Sequence, residues 1–327
     1  MKAPSFWSYG NSGILSTLLT PLGMTYGFAT LMRQSLARPW QCPVPVICVG
    51  NLIAGGAGKT PLVMDIACRL MKRKITPHLI ARGYGGTEKG PLRVSMDRYD
   101  ARLVGDEPLL LSTVAPAWVS ENRRSACRAA MVEGAMCMIF DDGFQDPSVV
   151  KDLSLVVVDG GFGFGNGNMI PAGPLREPII QSLSRASAVI LIGSDTTGVE
   201  DQIAGRCPVL KADVASGKEA EAFAGRRVLA FAGIGRPEKF FNFLSKIGCD
   251  VVTSKAFADH HNFTRPELDK LKAAAEKDDL CLVTTEKDWV RIPPEARDGI
   301  INLQIHLVWE NEDEINALLE PVISNAE

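Results

Sequence analysis

The run Gly50-Asn51-Leu52-Ile53-Ala54-Gly55-Gly56-Ala57-Gly58-Lys59-Thr60 is suited to holding a phosphate chain. Glycines let backbone N–H groups wrap an anion, a lysine reaches β- and γ-phosphates, and a threonine hydroxyl ligates Mg²⁺. Val44 to Val49 reads as a buried strand, and Leu62 to Met71 carries apolar residues at helical spacing. The glycines therefore sit at a strand-to-helix turn, where unpaired helix N–H groups face a ligand. The strict phosphate-loop pattern has a glycine where this chain has Ile53, so the match is to a variant loop. Packing alone can produce a Gly-rich turn between strand and helix, but Gly-Lys-Thr in this setting favours a nucleotide.

Carboxylates supply the second candidate chemistry. Asp141-Asp142-Gly143-Phe144-Gln145 follows the apolar run Met136 to Phe140, the position from which a carboxylate holds Mg²⁺ or its water in phosphate-loop proteins. One aspartate there could be a cap; two beside Gly-Lys-Thr favour metal work. Gly105-Asp106-Glu107-Pro108 precedes a short helical pattern, and its chemistry alone is equally that of a helix N-terminus. Asp259-His260-His261 holds two of the four histidines, which titrate near neutrality and suit a proton transfer. The stretch from Gly165 to Pro178 is too rich in Gly and Pro for regular structure and reads as a shaped loop carrying Arg176 and Glu177.

The elements that must position these residues alternate. Strands are expected at 77–81, 117–119, 136–140, 153–158 and 188–192, with helices at 107–113 and 123–133 between them. This predicts an α/β fold with a mostly parallel sheet and helices on both faces, ligands lying at the carboxyl ends of strands. A smaller α/β unit is expected over 226–299, with strands at 228–232, 250–253 and 280–284 and helices at 237–247 and 265–277. Gly233-Ile234-Gly235-Arg236-Pro237-Glu238 has Glu238 where a dinucleotide fingerprint has its third glycine, so it reads as a tight turn with Pro at a helix start. Residues 209–214 and 301–309 are extended runs expected to pair as a two-stranded connector, spanning 207–225 and 300–310. Residues 41–206 then form the phosphate-loop domain, and 311–327 a terminal helix.

The 327 residues, 46% hydrophobic and 22% charged, are enough for two folded units. A net charge of -3 offers no basic field for nucleic acid. The eight cysteines are scattered without a C-x-x-C pair, as in reduced thiols of a cytosolic protein, and no Cys/His cluster has zinc spacing. From Ala3 through Met32 there is no charge, while Leu15, Leu18, Leu19, Leu22, Met24, Phe28 and Leu31 make the segment strongly apolar. Residues 1–40 are therefore expected to associate with a membrane as an interfacial helix or hairpin; a buried structural helix and a true span are the alternatives.

Taken together, Gly50-Asn51-Leu52 with Gly55 to Pro61, Arg82-Gly83-Tyr84-Gly85-Gly86, Gly105 to Pro108, Asp141 to Gln145, Gly165 to Pro178, Phe231 to Pro237, Asp259-His260-His261 and Thr284-Thr285-Glu286-Lys287-Asp288 resemble the tetraacyldisaccharide 4'-kinase family. The family's own loop also lacks the first glycine. The resemblance implies transfer of the ATP γ-phosphoryl group to the 4'-hydroxyl of a tetraacyldisaccharide 1-phosphate, giving lipid IVA, at the cytoplasmic face of the inner membrane. It implies Asp106 as general base with His260 as its partner. Asn51, Gly55, Gly56, Ala57, Gly58, Lys59, Thr60 and Arg176 become candidate nucleotide or phosphate contacts, and Thr60, Asp141, Asp142 and Glu177 candidate holders of Mg²⁺ or its waters. The lipid substrate and the membrane surface are the implied partners, with no obligatory protein partner.

Two rival readings differ in class. A membrane-associated phosphate-loop ATPase switch usually carries a lysine just before the paired glycines, where this chain has Ala54. No Asn-Lys-x-Asp motif supports a GTP switch; Glu286-Lys287-Asp288 resembles it only superficially. A kinase for a soluble small molecule would act without residues 1–32.

Overall fold

The computed structural model describes residues 4–11, 13–56, 58–217 and 223–326. Ala57 of the phosphate loop, residues 1–3 of the N-terminal segment, part of the expected connector at 218–222 and the final residue lie outside them. After a 3₁₀ turn at Ser5–Trp7, the chain runs α1 (Ile14–Ser35), β1 (Val46–Gly50), α2 (Lys59–Lys72), β2 (Pro77–Ala81), β3 (Leu92–Arg93), α3 (Ala101–Val104), α4 (Asp106–Leu111), β4 (Ala117–Val119), α5 (Arg123–Val132), β5 (Cys137–Asp141) and β6 (Leu153–Asp159). It continues through α6 (Ile179–Leu183), β7 (Ala188–Ile192), α7 (Val199–Ile203), β8 (Val209–Ser216), β9 (Arg227–Ala232), α8 (Pro237–Lys246), β10 (Asp250–Ala256) and α9 (Arg265–Lys277). It closes with β11 (Cys281–Thr285), α10 (Glu286–Trp289), β12 (Ile300–Leu303), β13 (Ile305–Trp309) and α11 (Glu312–Ala326).

Two sheets result. The larger has nine strands in the order β13-β8-β7-β6-β1-β5-β2-β4-β3, parallel from β8 to β4 and antiparallel only at its edges. Its central strands are buried along their whole length, as continuous Val/Ile/Leu runs demand when helices cover both faces. One face packs Leu62, Val63, Ile66 and Leu70 of α2 together with Ile315, Leu319 and Val322 of α11; the other packs Ala126, Cys127 and Ala130 of α5. The smaller sheet is parallel, in the order β10-β9-β11-β12, with α8 on one face and α9 on the other. The α/β class with a mostly parallel sheet is thus the observed one.

One expectation needs correction. The run 301–309 is not one strand: β12 ends at Leu303 in the small sheet, and β13 begins at Ile305 in the large one. β13 does pair antiparallel with β8, but β8 also pairs parallel with β7, so the two strands extend the large sheet and are no free-standing ribbon. The alternating burial of β8 and β13 explains this, since each has one face to hide on that sheet.

At the N-terminus, of the helix or hairpin expected there, the helix is the form seen among the described residues. α1 is a single helix running through Pro21 and Gly23. Its small residues Ser16, Gly23 and Gly27 are buried, whereas Ile14, Leu15, Leu18, Leu22, Met24 and Phe28 are exposed. A Cβ on Gly23 would lie 2.8 Å from the Met169 carbonyl oxygen, a backbone atom, so the missing side chain lets the helix seat against that loop. The Ser16 hydroxyl donates to the Ala172 carbonyl at 2.7 Å, and the Trp7 indole N–H to that of Pro171 at 3.1 Å.

Candidate active site

The carboxyl ends of β1, β5 and β6 are neighbours at the centre of the large sheet, and each delivers chemistry. β1 leads into the phosphate loop, β5 ends in Asp141 with Asp142 following, and β6 ends in Asp159. This is the crevice in which α/β sheets bind ligands. Gly58 takes φ +85° at the start of α2, a conformation L side chains rarely adopt, and no side chain caps that helix. Its first N–H groups thus face the loop. Asn51 is fully buried and donates to the Gly55 carbonyl at 3.0 Å, so its amide shapes the loop from within.

Lys59 Nζ lies 3.5 Å from Asp142 Oδ1, and Arg176 donates to both Asp142 oxygens at 3.0 Å. The paired aspartates are consequently unlike. Burial would raise Asp142, but Lys59 and Arg176 overcome it and hold the carboxyl below its ordinary range. Asp141 is buried with no hydrogen-bond partner on Oδ1 among the described residues, and burial pushes it up to about 6, Lys59 opposing and Asp142 adding to the rise. A buried carboxylate oxygen of this kind fits a cation's donor set, and Thr60 at the start of α2 is likewise buried. Among the described residues no three His, Cys, Asp or Glu side chains form a cage. That suits Mg²⁺, which keeps its waters and takes one or two protein ligands plus phosphates.

Glu177 is placed elsewhere. Its side chain is fully buried and accepts hydrogen bonds from Gln34 of α1 at 2.9 Å, from Gln145 at 2.9 Å and from Arg185. Gln145 also donates to the Asn51 carbonyl at 2.8 Å, and Arg33 donates to the Gln145 carbonyl at 2.7 Å. With three donors on its two oxygens, Glu177 here ties α1 to the phosphate loop instead of standing beside Asp141 and Asp142 as a ready metal ligand.

Asp106 and His260 come together although β10 puts His260 in the small sheet's unit. His260 Nδ1 is 2.6 Å from Asp106 Oδ2. An ionised carboxylate can only accept, so the ring nitrogen donates. Arg291 donates to the same oxygen, and Asp106 Oδ1 takes no hydrogen bond from the described residues. Burial would raise Asp106, but His260 and Arg291 hold it below its ordinary range; the bond to Asp106 in turn raises His260 against the opposing effect of burial. His260 adopts φ +58°, an uncommon conformation for a non-glycine residue, and the Tyr84 ring lies 5.8 Å from its own. His261 turns away, its ring stacked 4.7 Å from Phe257 and Nε2 3.2 Å from Glu267.

Several side chains here lie in motifs quoted above but carried no assigned role. Lys287 pairs with Glu107 at 2.6 Å beside Asp106, and both act electrostatically on Asp141, which joins the Asp106 cluster to the phosphate-loop cluster. Arg236 donates to Asp159 at 2.8 Å and to the Gly56 carbonyl at 2.5 Å, with Lys239 on the same carboxylate. Glu286-Lys287-Asp288 and the turn around Arg236 are visible in sequence as polar insertions after apolar strands, but the partners named here for Arg236 and Lys287 are 77 to 180 residues away. The Gly233 turn is closed to a second nucleotide: its N–H donates to both Asp288 oxygens at 3.1 Å, and its carbonyl accepts from Arg291 at 2.7 Å and from the His260 N–H at 3.0 Å.

The family described as Tetraacyldisaccharide-1-P 4'-kinase matches residues 15–324. Tetraacyldisaccharide 4'-kinase of Rhodospirillum centenum is 51% identical over 99% of this chain and 97% of its own length. That of Paramagnetospirillum magneticum is 47% identical over 98% and 99%. The crystal structure of LpxK from Aquifex aeolicus in complex with ATP superposes with a TM-score of 0.76 at 26% identity, covering 95% of this chain and all of that one. By the match of the family model over nearly the whole chain and by relatives of this identity, the chain belongs to the tetraacyldisaccharide 4'-kinase family of enzymes.

Proposed function

We propose that the chain transfers the γ-phosphoryl group of ATP to the 4'-hydroxyl of a tetraacyldisaccharide 1-phosphate, forming lipid IVA, at the cytoplasmic face of the inner membrane. The observation that carries the catalytic part is the Asp106–His260 contact, made between the two units and electrostatically continuous with the phosphate loop. Asp106 Oδ1 accepts the sugar hydroxyl proton, and the freed O4' attacks the γ-phosphorus as the bond to the ADP oxygen breaks. His260 and Arg291, both on Oδ2, orient the carboxylate. Lys59, the loop N–H groups and Arg176 offset charge on the transferring group, which is most of what phosphoryl transfer asks of a protein. Thr60 and Asp141 would hold Mg²⁺, which when bound neutralises phosphate charge; Asp142, tied to Lys59 and Arg176, would act on its waters, and Glu177 supports that shell from behind.

The outward row of large apolar side chains on α1 supports a membrane role. At 22 residues the helix is long and apolar enough to cross a membrane, and few of its residues are buried. Seated by its small residues, the helix lies along the protein and offers the row to acyl chains, an interfacial arrangement. The two sheets are read as two units closing on the substrate.

The test is phosphate transfer from γ-labelled ATP with Mg²⁺ to the tetraacyldisaccharide 1-phosphate in detergent micelles, for wild type beside Lys59→Ala and Asp106→Ala. Labelled bisphosphorylated lipid from wild type, lost in both variants, supports the reading. ATP hydrolysis without labelled lipid would move the weight to a membrane-associated ATPase switch.

A further inference from the structure

We propose that Arg291 is a positioning residue for phosphoryl transfer: buried between the two units, it sets the Asp106 carboxylate and the backbone carrying His260 in one geometry. This rests on the reading of Asp106 as the base. Arg291 has a side chain 1% exposed, and its two terminal nitrogens point to different parts of the molecule. One donates to Asp106 Oδ2 at the start of α4 in the large unit. The other donates to Asp288 at 2.8 Å and to the Gly233 carbonyl at 2.7 Å in the small unit. The same carbonyl accepts the His260 backbone N–H, so one guanidinium holds the base directly and the histidine's main chain at one remove.

Asp288 completes the arrangement. It accepts from the Gly233 N–H, the Thr285 hydroxyl and Arg291, which fixes the guanidinium from the side opposite Asp106. A planar fork can bridge two carboxylates and a carbonyl in this way, and a lysine ammonium on its flexible stem cannot reproduce the geometry. The other charged groups around Asp106 are accounted for: Glu107 on the same helix is paired with Lys287 of α10, and Asp259 lies 3.9 Å from His260 Nε2. Arg291 is therefore the one full-time cation in contact with Asp106 among the described residues, whereas His260 is charged only when protonated.

The experiment measures kcat and KM for lipid phosphorylation against pH in wild type, Arg291→Gln, Arg291→Lys and Asp106→Asn, with circular dichroism and ATP binding as checks of fold. Arg291→Gln is expected to move the acid limb of kcat to higher pH by about one unit or more, because a cation beside a carboxylate lowers its pKa by about 1–3 units. Arg291→Lys keeps the buried charge, and with it the fold and most of the acid limb, but lowers kcat by about 10- to 100-fold through misplacement, with KM for ATP unchanged. Wild-type kcat in Arg291→Lys overturns the proposal, whether or not Arg291→Gln folds. So does an equal rise in both KM values without loss of kcat. Full turnover in Asp106→Asn would instead overturn the base assignment, an outcome distinct from failure of the Arg291 variants alone.

Discussion

Asp106 and His260 are separated by 154 positions in the chain, yet His260 Nδ1 and Asp106 Oδ2 approach to 2.6 Å. The pair joins the two units as well as the two roles proposed for it. Anything that separates the units removes the orienting donor from the base.

This contact makes stability depend on pH. His260 is raised above its ordinary 6.5, so its contribution is fully present below that value and is lost as pH rises through the folded pKa. Asp106 is lowered below 3.8, so its contribution is present above that value and is lost as pH falls through its folded pKa. His260→Ala should therefore lower the melting temperature most near about pH 6 and progressively less toward about pH 9. A gap that is constant across that range, read by circular dichroism, would contradict the pairing.

Asp141→Asn should separate stability from function. A buried carboxyl raised to about 6 favours the neutral form, so above that pH the charged group destabilises the fold, and below about 4 it does not. The ligand-free variant is expected to gain about 1–3 kcal/mol at pH 7.5 and to gain nothing at pH 4, while kinase activity falls by two orders of magnitude or more. Denaturant titrations at the two pH values and the labelled-ATP assay check both halves.

Glu177→Ala should loosen the N-terminal helix. It leaves Arg185, Gln34 and Gln145 without their shared acceptor, and removing one partner of a buried pair costs about 3 kcal/mol. Gln34→Ala deletes one of the three donors, so it should cost about 1 kcal/mol and increase protease cleavage within residues 14–35 without abolishing transfer. Identical protection of α1 in all three proteins would show that Glu177 does not anchor it.

The triple change Leu18→Glu, Leu22→Glu and Phe28→Glu places charges on the exposed face of α1 without touching Ser16, Gly23 or Gly27. Flotation with vesicles of anionic phospholipid should be lost, and transfer to vesicle-borne lipid should fall by about 10-fold or more. Transfer in detergent should stay near wild type. Unchanged flotation would remove the membrane role from this helix.

Much of the fold is legible in sequence because its elements are local. The apolar runs 77–81, 117–119 and 188–192 are strands at those bounds, and the 3.6-residue spacing of 265–277 is a helix at those bounds. The phosphate loop and Asp141-Asp142 are legible for the same reason: a few adjacent residue types at a strand end suffice to mark them. The run 301–309 misleads because nothing local says that Gln304 is where the chain passes from one sheet to the other. The segment 1–40 is legible only in part, since apolarity marks the exposed side of α1, while its seat is made by small residues that carry no hydrophobic signal.

By itself, then, the sequence determined most of the longer strands and helices, the glycine-rich turn after β1, the paired aspartates and the family resemblance, all of which reside in neighbouring residues. Tertiary structure alone decided that Arg291 and His260 converge on one oxygen of Asp106, that Asp141 keeps an unpartnered oxygen while Asp142 is tied to Lys59 and Arg176, and that Glu177 joins Gln34 to Gln145. The physical reason is that burial and charge pairing are properties of position in space. A carboxylate's ionisation, its free lone pairs and its partners are set by groups that arrive from distant parts of the chain.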